Sequence, residues 1–157
     1  YGVQITELRL DVGIGEKLSR QDILQSLEQA KKDGHVTAVE TVRLSILEQH
    51  EARVQFTKRV PVTAGTATAG PERTVRNVQQ RDVGTMVQLS AQTQGAQVLL
   101  QLMYESSRIE GESSDDAPAP THTVQFSTTL LITPGQPLLV GSTNSDKSTL
   151  LLVTIEP

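Results

Sequence analysis

The residues of this sequence best suited to chemistry are three histidines, a cluster of carboxylates and a glycine pair ahead of a helical stretch. None of them completes a reaction centre. His35, His50 and His122 are far apart and lack the H-E-x-x-H spacing that puts two imidazoles on one helix face, so no metal site is expected. Glu110, Glu112, Asp115 and Asp116 carry enough charge to attract calcium. They lack the alternating ligands and turn glycine of an EF-hand loop, and read as a solvated acidic loop. No serine stands in G-x-S-x-G, and a Ser-His-Asp set does not follow from scattered residues. Gly13 and Gly15 form G-x-G, but the third glycine is missing and Lys17 and Ser19 do not complete a phosphate-binding loop. Helix entry is the simpler account. The expectation is no catalytic, cofactor-binding or metal-ligating residue, no cofactor and no enzymatic activity.

Composition narrows the remaining classes. The chain has 157 residues, 36% hydrophobic and 20% charged, which suits one folded domain spanning 1–157 rather than a disordered polyelectrolyte. A net charge of −4 and the lack of any Lys/Arg cluster interleaved with aromatics argue against nucleic acid as a partner. Cysteine is absent, which removes disulfides and thiolate chemistry and leaves the redox compartment open. Aromatic residues make up 3%, too few for the interfacial girdles of a self-contained lipid-facing barrel. The chain opens on Tyr1 with no charged-then-apolar leader, so a processed protein or an excised fragment is expected.

The elements follow from periodicity. In VQITELRLDVG, Val3 and Ile5 share one alternating phase and Leu8, Leu10 and Val12 the other, which predicts a strand with a bulge. In SRQDILQSLEQAKKDG, Ser19 is a candidate N-cap, Ile23, Leu24, Leu27 and Ala30 share a face, and Gly34 is a stop signal. A helix over 20–33 is predicted, with Asp22, Glu28, Lys31 and Lys32 placed to suit its dipole. Residues 1–39 thus form a strand-helix entry and 40–157 a β-rich region. Val42, Leu44 and Ile46, then Ala52, Val54 and Phe56, alternate around EQHE and predict an antiparallel hairpin. Small residues and glycines in 62–74 predict a long loop, and the acidic, proline-containing stretch 109–122 a second one. Strands are expected around Val83–Leu89, Val98–Tyr104 and Val124–Ile132, the first two joined by a tight turn at TQGAQ. PLLVG and STLLLVTI around NSDK read as a final hairpin buried on both faces. The fold class is α+β, mainly antiparallel β-sheet with one N-terminal helix.

The order of short motifs adds a resemblance. LEQHEARVQFTKRVPVTAG, with Val60, Pro61 and Gly65, then QQRDVGTMVQLSAQ, with Asp82, Val83 and Gly84, then TVQFSTTLLITPGQPLLVGS, with Pro134, Gly135 and Gly141, resemble the C-terminal pore domain of bacterial type II and III secretins. Divergent planctomycete-like members are similar in the same way. The similarity covers roughly residues 40–155, and each motif alone is weak. Where secretins usually carry a second glycine and a bulky apolar residue after Gly141, this chain has Ser142 and Thr143.

The resemblance implies a secretin-like β-domain whose subunits donate strands to a multi-subunit barrel, with 62–74 either gate-like or an ordinary surface loop. It implies self-association or partnership with other secretion and envelope proteins, membrane association only in an assembled ring, and a place in the periplasm or outer membrane. The alternative is a soluble envelope module that binds an unknown protein or polysaccharide without forming a pore.

Overall fold

The computed structural model describes residues 1–10, 20–68, 74–111, 119–143 and 148–156. Among these residues eight strands and one helix follow in the order β1 (Gly2–Leu10), α1 (Arg20–Lys32), β2 (Val36–Ser45), β3 (Glu51–Thr68), β4 (Thr74–Gln94), β5 (Gln97–Ile109), β6 (Thr121–Ile132), β7 (Leu138–Thr143) and β8 (Ser148–Glu156). They make two four-stranded sheets, ordered β2-β1-β8-β7 and β3-β4-β5-β6. The fold is predominantly antiparallel sheet with one short helix, as the sequence predicts. The chain divides into two compact units. The first contains Tyr1–Ala52, Leu89–Leu102 and Thr128–Pro157, and the second Arg53–Gln88 and Met103–Ser127.

In the first sheet β1 lies between β2 and β8. Its ladder with β8 runs without interruption from Gly2↔Glu156 to Leu10↔Ser148. Val3, Ile5 and Glu7 are buried in one phase, and Leu8 and Leu10 in the other. Opposite faces of one strand are therefore covered along different stretches of its length, because successive side chains point to opposite sides. The covering of the Leu8 side is α1. Leu27 packs with Leu8, Leu10 and Leu150, flanked by Ala30, Val36 and Leu139. On the other side Val3, Ile5, Val42, Leu151, Val153 and Ile155 are at most 4% exposed. Leu89, Ala91, Val98, Leu100, Leu102 and Ile132 complete the core of this unit. Each Val, Leu or Ile among them contributes roughly 1.5–3 kcal/mol of burial.

The expected bulge in β1 is a feature of its partner. The β1–β2 register steps from Glu7↔Glu40 to Leu8↔Ala38, which leaves Val39 as the extra residue on β2. The phase change in β1 arises from the two covered faces. The bulge lets Val36 and Ala38 side with the helix while Val42 and Leu44 turn to the other face. Val12 falls outside the described residues.

The helix ends as predicted. Gly34 has φ 76°, the His35 N–H donates to the Ala30 carbonyl at 2.9 Å, and the Gly34 N–H donates to Lys31 at 3.3 Å. This is the Schellman arrangement, for which glycine's freedom at positive φ is suited. Ser19, the candidate cap, lies outside the described residues.

Two sequence expectations are corrected. The stretches on either side of EQHE are not a hairpin, since β2 belongs to the first sheet and β3 to the second. Alternation reports that both strands are half-buried and is silent on which strand each one pairs with. Residues 62–68 are not loop but the continuation of β3, with Val62 only 4% exposed. Val62, Thr63, Thr66 and Thr68 are β-branched, and a long neighbour in β4 supplies the ladder that the small residues between them do not discourage. The remainder of that expected loop, 69–73, is not among the described residues. The second expected loop is bounded by Ile109 and Thr121, and the Glu110 N–H donates to the Pro120 carbonyl across its base at 2.9 Å.

The link from β2 to β3 is tied to the end of β4. Gln49 has φ 61°, an uncommon value for a residue with a Cβ, and its N–H donates to the Ala91 carbonyl at 2.8 Å. The Glu48 carboxylate accepts from the Thr93 N–H at 2.9 Å, and the Thr93 hydroxyl in turn meets the Tyr1 phenol. Hydrogen bonding from the Thr93 side chain, then from its backbone, holds the Glu48 carboxyl below its ordinary value of 4.5. A carboxylate whose folded-state value is depressed stabilises above its unfolded value and ceases to do so as pH falls through the folded one. Glu48→Gln should therefore lower Tm at pH 7, with the difference from wild type shrinking steadily below about pH 4.5. Thermal melts at a series of pH values check this; a gap that stays constant down to pH 3 would assign the effect to something other than the charge.

Candidate functional site

The second unit places the first two motifs side by side. Val60 and Pro61 lie on β3, and Asp82, Val83 and Gly84 on the neighbouring β4. Gly65 falls within the extended part of β3. Across the strands Arg59 Nε donates to Asp82 Oδ1 at 3.0 Å, and this hydrogen bond raises the guanidinium's pKa still further. Both side chains are more than half exposed, so the pair adds specificity of register more than stability.

Gly84 has a more exacting role. Its φ is 147°, and a Cβ added there would stand 1.9 Å from the Phe56 carbonyl oxygen and 2.9 Å from the Thr57 Cα. The β3 backbone passes directly over this residue, so only a residue without a side chain fits. The Asp-Val-Gly triplet thus fixes where β3 lies on β4.

Pro134, Gly135 and Gly141 belong to the other unit and are not brought to this place. Thr133–Gln136 is a turn in which the Gln136 N–H donates to the Thr133 carbonyl at 3.1 Å. Proline occupies its second position and Gly135, at φ 78°, its third, which are the requirements of a type II turn. The Gly135 N–H then donates to Ile155 at 2.8 Å, which docks the turn on β8. Gly141 sits beside the irregularity of the β7–β8 ladder, where the register steps from Leu139 to Gly141.

A concavity of about 770 Å³ opens beside Gly84, lined by residues of β3, β4 and β5. Phe56, Val60, Val83 and Ile109 supply apolar surface, and Lys58 and Arg108 are its charged members. Phe56 is 56% exposed. Sequence reading missed this group, although Phe56, Lys58 and Val60 share one alternating phase of β3 and so fall on one face. Among the described residues no three or more His, Asp or Glu side chains gather where they could hold a metal ion. His35 and His50 are exposed and His122 is half-buried.

The second sheet has two lateral edges, β3 and β6. β6, THTVQFSTTLLI, contains no Lys, Arg, Asp, Glu or Pro along its 12 residues. β3 carries Arg53, Lys58, Arg59 and Pro61. Charges and proline are the ordinary means of keeping an edge from pairing with another chain, and β6 has none of them.

Fold and site together define a β-sheet module with long open-edged strands. The secretin model, that of bacterial type II and III secretion system proteins, matches residues 29–151, and the chain belongs to this family. No curated protein matches the sequence significantly. Among solved structures, the chain is similar to the secretin-domain β-barrel of InvG from the Salmonella SPI-1 injectisome, with TM-score 0.46 and 16% identity over 97% of this chain and 58% of that one. A second structure of the Salmonella injectisome secretin InvG gives TM-score 0.46 and 18% identity, covering 97% of this chain and 60% of that one. A third, of InvG from the Salmonella basal body with PrgH and PrgK, gives TM-score 0.46 and 18% identity over 97% and 42% of the two chains. The chain therefore spans less than two thirds of the length of these structures.

Gly84→Ala should cost more than the ordinary 1–3 kcal/mol of an overpacked position, since the obstacle is backbone. Urea denaturation measures the loss, and amide exchange should show it concentrated in β3. An alanine variant as stable as wild type would mean that β3 does not lie on Gly84.

Proposed function

We propose that this chain is a strand-donating subunit of a secretin-type assembly in the bacterial cell envelope, and that copies join through the edges of the second sheet. The observation that carries the reading is the uncharged, proline-free β6 at one edge. Every unpaired N–H and C=O along it is a site at which a further strand gains a ladder hydrogen bond.

The partner strand follows from direction. β4 and β5 are joined by a two-residue connection, Gly95–Ala96, with Gly95 at φ 65°, so these neighbours run oppositely. Alternation through four consecutive strands leaves β3 and β6 opposed in direction. β6 of one copy then meets β3 of the next in antiparallel sense and continues the sheet. On the β3 side Pro61 forgoes one ladder donor and the charged residues limit pairing to this uncharged partner. Such a contact joins two different surfaces, so it is heterologous and propagates until rotation closes it into a ring. Closure into a barrel removes the edges altogether. Membership of the secretin family supports this reading. The place of action is then the periplasm or outer membrane, and other secretion and envelope proteins are the class of partner beyond the chain itself.

The test is the mass in solution, by light scattering after gel filtration, with and without mild detergent. The wild-type chain should form a multi-subunit species, and Gln125→Pro, in the middle of β6, should reduce it to monomer. Thr123→Lys, a milder edge charge, should weaken assembly while leaving the circular dichroism spectrum unchanged. A wild-type monomer in every buffer would reject the proposal and favour a soluble envelope binding module.

A further inference from the structure

We propose that the concavity beside Gly84 binds an anionic single-chain amphiphile, an aliphatic tail ending in one carboxylate. Its volume of about 770 Å³ lies within the range of small-molecule sites, roughly 300–1,000 Å³. The walls come from three adjacent strands. Phe56 and Val60 stand on β3, Val83 on β4 and Ile109 on β5.

The charged residues among the described lining are of one sign. Lys58 and Arg108 are both cationic, and no described lining residue is a carboxylate. Arg108 also donates from Nη2 to the Ser106 hydroxyl at 3.2 Å. Asp82, two residues before Gly84, has its carboxylate engaged by Arg59. Lys58 lies between Phe56 and Val60 in the same phase of β3, so a cation is set between two apolar contacts. A tail against Phe56, Val60, Val83 and Ile109 and an anionic head near Lys58 satisfy both features at once. A neutral hydrocarbon uses only the first, and a cationic head meets the like charge of Lys58. Edge-to-edge pairing engages the backbone of β3 and β6, so this site stands apart from it.

The test is calorimetric titration of the purified full chain with laurate, dodecyltrimethylammonium and dodecyl maltoside, each below its micelle concentration. Laurate should bind one molecule per chain and about tenfold more tightly than dodecyltrimethylammonium, as a charge preference between equal tails requires. Lys58→Glu should abolish or reverse that preference, and Phe56→Ser should weaken binding of both charged amphiphiles. Both residues are exposed, so neither substitution removes core packing, and circular dichroism verifies the fold. Three results would each overturn the proposal: no laurate binding, equal affinity for the two head charges, or laurate affinity unchanged in both variants. Binding to anionic vesicles without binding to dispersed laurate would likewise reject it in favour of a membrane-surface contact.

Discussion

The pairing of β1 with β8 is the constraint on which the first unit depends. These strands are opposite ends of the sequence and the two inner strands of their sheet, matched residue for residue from Gly2↔Glu156 to Leu10↔Ser148. With β1 unpaired on that side, β2 and β7 lose the middle of the sheet that holds them together. The packing follows the same axis. Leu150 and Leu151 are adjacent in β8 and both at most 1% exposed, which is only achieved when each face has its own cover. On the Leu150 side that cover is α1 through Leu27. A single helix of 13 residues is thus enough to allow an aliphatic run such as Leu150–Val153 in a strand.

The second sheet is governed by length and edges. β3 has 18 residues and β4 has 21, well beyond the usual five or six. Long strands multiply the number of hydrogen bonds for which register must be correct, since a slip of one residue exchanges the faces. Gly84 supplies the register mark by steric exclusion, and Arg59 with Asp82 adds a polar one nearby. The uncharged edge at β6 is the feature on which the proposed assembly rests.

Much of this was legible in the sequence, and the rest was hidden for identifiable reasons. Helix α1, its Gly34 stop, the Gly95 hairpin and the Pro134-Gly135 turn rest on backbone requirements that a few neighbouring residues express. The family resemblance was legible too, through the order of short motifs. Partnership was not: the alternation of Val42 and Leu44 reads the same whether β2 pairs with β3 or with β1. The small residues at 63–68 misled because composition reports the lack of a core anchor, whereas a strand needs only a partner. The role of Gly84 became visible only with the Phe56 carbonyl above it, an encounter between residues 28 positions apart. The concavity was hidden likewise, since it takes residues from three strands that sequence order alone does not bring together.

The late position of β8 in the chain also sets the order of events during synthesis. A ladder whose partners are separated by nearly the whole sequence carries a high contact order, and such topologies fold slowly because a large loop must close before any contact rewards it. β1 leaves the ribosome well before β8, and its inner edge has no mate until β8 has emerged. In that interval Val3, Ile5 and the apolar side of α1 lack the strand that completes their burial. Until the ladder closes, this apolar surface stays open, and a nascent chain with such surface is the kind that gains from early protection.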